Sequence, residues 1–158
     1  MIRHLQASLT KIKTSLEKID NIRVNIKVHP TQSSEIYQSL YDVESKNCKY
    51  VDGDFLEWVK ATDLLVSAAS TTCMEALAMG VPVAIIGAKN QILQNPIPKS
   101  IHHDYWRICY SSSELIGFSS AVSTIDKDDL IIESARIRDS YFMMPTYKNI
   151  QKLINFND

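Results

Sequence analysis

No apolar stretch in this sequence approaches the roughly 20 residues that span a bilayer. From Met1 to Asp20, polar and apolar residues alternate without the continuous apolar core of a signal segment. The chain therefore reads as soluble, not transmembrane, and cytoplasmic. Neither sign of charge is in surplus, since 17 Lys and Arg stand against 18 Asp and Glu for a net charge of −1. Binding a phosphate backbone needs a basic excess on one face, so nucleic acid is not expected as the main partner. Cysteine is scarce: Cys48, Cys73 and Cys109 are far apart and odd in number, which suits buried free thiols better than a disulfide framework. No metal site is expected and no cofactor is called for. The four glycines and five prolines are scattered, with no repeat, low-complexity tract or linker.

What is present is an ordinary globular composition. With 45% hydrophobic and 22% charged residues over 158 positions, one domain covering residues 1–158 is expected. Apolar residues three or four apart from Ile2 to Ile19 predict an amphipathic helix. Val24, Ile26 and Val28 alternate with polar residues as in a strand, which ends at His29-Pro30. Thr31 or Ser33 can then cap a helix through about Tyr41. Cys48 to Val51 predicts a strand, Asp52-Gly53-Asp54 a turn, and Phe55 to Ala61 a short helix. Later elements are a strand over Tyr105–Tyr110 and helices over Ser112–Val122, Asp128 to about Met143, and Thr146–Ile154, with Pro145 between the last two. Ala88 to Asp104 has no steady period and reads as a loop, long enough to suggest function or mobility.

The densest signal lies between Ala61 and Gly87. Leu64, Leu65 and Val66 form one apolar run, and Val81 to Ile86 form another around Pro82. Such runs suit parallel strands covered on both faces, and a helix is the usual crossover between them. The fold class expected is therefore α/β, Rossmann-like, with a mainly parallel sheet and helices on both faces. In such sheets ligands bind outside the carboxyl ends of the strands. Ser70, Thr71 and Thr72 fall there, offering hydroxyls and first-turn amides that bind anions or, equally, cap the helix. Glu75 has two readings as well: a carboxylate for the hydroxyls of a sugar ring, or the far end of a Thr72/Glu75 capping box. His29, at another strand end, can meet a phosphate or simply bond a neighbouring carbonyl. Gly80 closes the helix and Pro82 prevents its continuation.

Glu75, Gly80 and Pro82 stand in a Glu-x-x-x-x-Gly-x-Pro pattern, with His29-Pro30 upstream and Ser70-Thr71 just before it. In this order they resemble the C-terminal, nucleotide-binding half of GT-B glycosyltransferases, of the sialyltransferase-like and surface-polysaccharide type. The resemblance spans about Val24 to Gly87. It implies a nucleotide-sugar donor as partner, with His29 on phosphate, Ser70, Thr71 and Thr72 on phosphate or ribose, and Glu75 on ribose. It also implies that the chain is a truncated C-terminal domain lacking its first strand and the N-terminal, acceptor-binding domain. No catalytic residue is assigned. The resemblance further implies a cytoplasmic protein, or one peripheral to the inner membrane at full length. Two alternatives stay open: a nucleotide-sugar epimerase of similar fold, and a non-catalytic α/β interaction domain.

Overall fold

A computed structural model of the chain describes residues 22–29, 35, 46–88 and 93–142. The helices expected over Ile2–Ile19 and Thr146–Ile154 lie outside these residues. So does the helix expected before Tyr41, apart from Glu35, which is helical. The described elements are β1 (Val24–Lys27), β2 (Cys48–Val51), α1 (Phe55–Lys60), β3 (Leu65–Ser67), α2 (Thr72–Ala78), β4 (Val83–Ile86), β5 (Trp106–Cys109), α3 (Ser112–Val122) and α4 (Lys127–Tyr141).

Every described strand pair is parallel, as expected from the apolar runs around β3 and β4 and also found for β1 and β2, whose apolar residues alternate with polar ones. The strands nevertheless form two sheets, β1-β2 and β3-β4-β5, where one was expected. β4 is the centre of the larger sheet, and Val83, Ala84 and Ile85 are each 0% exposed, so both of its faces are covered. Alternating residues divide accordingly. Val83 and Ile85 join Leu65, Trp106 and Ile108 in a core with Val59 of α1, Leu77 of α2 and Ile137 of α4. On the opposite face Ala84 and Ile86 join Val66 and Cys109 against Leu115 and Phe118 of α3. Helices thus cover both faces of the parallel sheet.

Local chemistry sets the helix ends. The Asp54 carboxylate accepts from the amides of Leu56 (2.7 Å) and Glu57 (3.2 Å) to open α1. The Asp126 carboxylate accepts from Asp128 (2.8 Å) and Asp129 (3.3 Å) to open α4. At the end of α2 the Gly80 amide donates to the Leu77 carbonyl and the Val81 amide to the Ala76 carbonyl, a Schellman closure. It needs Gly80, whose φ is +77°. The Arg138 guanidinium, from α4, donates to the Ala78 carbonyl at 2.5 Å, so it both ends α2 and fastens it to the last helix.

The segment expected as a long loop is packed where it is described. Ile97 and Ile101 are buried, the Asn95 side chain accepts from the Ile97 amide at 3.0 Å, and the Trp106 indole donates to the Ile101 carbonyl at 3.1 Å. Its irregular backbone carries core residues, so absence of a period does not here mean an open loop.

Candidate functional site

Three parallel strands in register bring their carboxyl ends to one edge of the sheet. Ala68 to Thr72 follow β3 there, Gly87 follows β4, and Tyr110 and Ser111 follow β5. Gly87 is fixed by its neighbours: a Cβ added to it would lie 2.5 Å from Cε1 of Tyr110 and 2.9 Å from Cγ2 of Ile108. The Tyr110 ring therefore rests on the end of β4, at the edge where Ser70 also lies. A glycine directly after an apolar run was the signal for this close approach, although Gly87 and Tyr110 were not picked out from sequence.

Ser70, rather than Thr72, acts as the cap of α2. The Ser70 hydroxyl accepts from the Thr72 amide at 3.4 Å and from the Thr72 hydroxyl at 2.9 Å. The Ser70 carbonyl accepts from the Cys73 amide, and the Thr71 carbonyl from the Met74 amide, so a tight first turn already uses two amides expected to be free for an anion. Thr71 is exposed, has helical φ and ψ of −60° and −26°, and makes no cap bond with its side chain.

The Thr72/Glu75 capping box is not formed, because Thr72 lies within the helix, after the already helical Thr71, and is not an extended residue ahead of it. Among the described residues the Glu75 carboxylate accepts no hydrogen bond, although Glu75 is half-buried. The same Ser/Thr-x-x-Glu spacing does cap α3, with the glutamate reaching one residue beyond the cap residue. There Ser111 is extended (φ −143°, ψ 160°), its hydroxyl accepts from the Glu114 amide at 3.3 Å, and the Glu114 carboxylate accepts from the Tyr110 amide at 2.5 Å.

The structure thus gathers Ser70, Thr71, Thr72 and Glu75 on one turn and helix. His29 is exposed at the end of β1 and so belongs to the other sheet. A cavity of about 1590 Å³ opens elsewhere, among residues that precede the strands, including Arg23, Asn47, Asp63 and Pro82. None of the five candidate residues lines it.

No known protein family, curated protein or solved structure matches the chain. The chemistry available at the site is that of its own groups. Ser70 accepts two bonds and keeps its hydroxyl proton for an acceptor such as phosphate; the exposed Thr71 hydroxyl can do the same. Glu75 can accept two hydroxyl donors. Beneath them Cys73 is buried, its thiol donating to the Ala68 carbonyl at 3.6 Å, and burial raises its pKa. Burial, with Glu114 nearby, pushes Cys109 up to about 11. Both thiols are protonated near neutrality and are structural rather than nucleophilic. All three cysteines are buried and outside any disulfide.

Two Asp-x-Asp spacings are present, Asp52-Gly53-Asp54 and Asp126-Lys127-Asp128. In each, one aspartate is a helix cap, Asp54 for α1 and Asp126 for α4. Among the described residues no group of three His, Cys, Asp or Glu side chains could hold a metal ion, and no helix is long and apolar enough to cross a membrane.

Proposed function

We propose that the chain is a glycosyltransferase-like domain that binds a nucleotide-activated sugar for surface polysaccharide or lipopolysaccharide biosynthesis. The observation that carries this reading is the Glu75 carboxylate. It is not used in a cap, and it stands one turn from the Ser70, Thr71 and Thr72 hydroxyls at the carboxyl edge of parallel strands. Glu75 accepts the two ribose hydroxyls, and the hydroxyls of Ser70 and Thr71 donate to phosphate. His29 meets the diphosphate from the end of β1. The reaction is displacement at the anomeric carbon with the nucleotide as leaving group, stabilised by donors aimed at its phosphate.

Titrating CMP, UDP, GDP and their sugars against the chain, with backbone amide shifts as the signal, tests the reading. Shifts confined to Ser70–Glu75, Gly87 and His29 are expected. No response at millimolar nucleotide overturns it and leaves the non-catalytic interaction domain. A hydrogen bond to a charged group is worth roughly 1.5 to 3 kcal/mol, so Glu75→Gln should weaken nucleotide affinity by about tenfold or more. Since Glu75 makes no capping bond, the same change should leave stability unaltered within about 0.5 kcal/mol. Unchanged affinity in that variant removes the ribose role.

A further inference from the structure

β1 is paired on one side by β2, and β3 on one side by β4. The cavity of about 1590 Å³ lies between them and is lined along both strands. Successive residues of a parallel strand turn their backbone groups to opposite edges. The Val24 amide donates to the Asn47 carbonyl at 2.7 Å, and the Leu65 amide to the Pro82 carbonyl at 2.9 Å. Asn25 and Lys27 therefore turn theirs away from β2, and Leu64 and Val66 away from β4. Among the described residues neither of these edges has a ladder partner. Unpaired edges of this kind are templates for another strand.

The direction of the two edges agrees. Arg23, Asn47, Asp63 and Pro82, each just ahead of its strand, all line this one cavity, whereas the residues following the strands do not. The volume also exceeds the roughly 300 to 1,000 Å³ of a small-molecule pocket.

We propose that the cavity is a slot for one further β-strand, parallel to β1 and β3 and bonded to both, which joins the two sheets in the order β2-β1-strand-β3-β4-β5. The lining defines its chemistry. Trp58 and Val59 of α1 and Ser119 and Val122 of α3 also border the slot, and Val59 and Val122 belong to the cores on opposite faces. A strand covered on both faces is apolar throughout. Around the slot Arg23, Lys27, Lys46 and Lys127 stand against Asp63, so the occupant carries acidic residues beside its apolar run. The occupant is a partner segment that carries acidic residues beside an apolar run. A second copy offering one of its described strands would have to surrender that strand's own pairing. The inference is independent of the nucleotide reading.

The test is amide hydrogen exchange on the full chain, with the peptide acetyl-Asp-Glu-Val-Ile-Val-Thr-Val-amide as probe. Without peptide, the amides of Asn25, Lys27 and Val66 should exchange freely while those of Ile26 and Leu65 are protected. Peptide at about 100 times its Kd should slow Asn25, Lys27 and Val66 by roughly 100-fold. Asn25→Pro removes one inward donor without touching the β1-β2 ladder, and should weaken uptake about tenfold with Ile26 protection unchanged. Should that variant not fold, a peptide with Lys-Lys in place of Asp-Glu serves instead and should bind about tenfold more weakly at low salt. Protection of Asn25 and Val66 in the chain alone, or no slowing at millimolar peptide, overturns the proposal. Slowing that follows chain concentration without peptide assigns the slot to a second copy and also overturns it.

Discussion

Glu133 and Arg136, one turn apart on α4, form a fork with Nε to Oε2 at 2.7 Å and Nη2 to Oε1 at 2.6 Å. The hydrogen bonds from Arg136 hold the Glu133 carboxyl below its ordinary range, against the opposing effect of burial. A group whose pKa is lower folded than unfolded contributes stability above its unfolded value and loses it as pH falls through the folded value. Acid should therefore lower the urea midpoint below the usual carboxylate range, and Glu133→Gln should lessen that fall while leaving the slope of the transition unchanged. At this scale the sequence was informative about candidates and silent about their partners. Glu75 and Ser70 were visible as a carboxylate and a hydroxyl at a strand end. That Ser70 caps the helix and leaves Glu75 uncommitted depends on Thr71 being helical, which residue types do not state.

Helix ends show the same division between elements. Ser111/Glu114 and Thr72/Glu75 share one spacing, and only in the first does the hydroxyl cap the helix, because only Ser111 has the extended backbone that a cap requires. Ser111→Ala should consequently cost about 1 kcal/mol in chemical denaturation. Thr71→Ala, which removes a hydroxyl with no capping bond, should change stability by less than about 0.5 kcal/mol. The expected boundaries of β2 and α3 agree with the structure, the strand stopping at the Asp52-Gly53-Asp54 turn and the helix opening on serines. The open loop expected over 88–104 does not, since Ile97 and Ile101 reach the core from irregular backbone that has no period to read.

For the whole molecule, apolar runs made a parallel sheet with two helical layers legible. The split into two sheets was not legible, because composition identifies a strand and not its neighbour. The two layers can be followed separately through their thiols: Cys73 is 0% exposed in one core and Cys109 is 1% exposed in the other. If both layers open only with the whole fold, native-state alkylation of Cys73 and Cys109, corrected for intrinsic thiol reactivity, should give one opening free energy. Unequal values would mean that the layers separate before the sheet does. One connection joins this architecture to the candidate site. Arg138 and the Gly80 turn moor the carboxyl end of α2, while at its amino end Cys73 is 0% exposed and its thiol donates to the Ala68 carbonyl. A short helix moored at both ends holds Ser70 and Thr71 in fixed positions, so a ligand arriving there meets groups that are already placed.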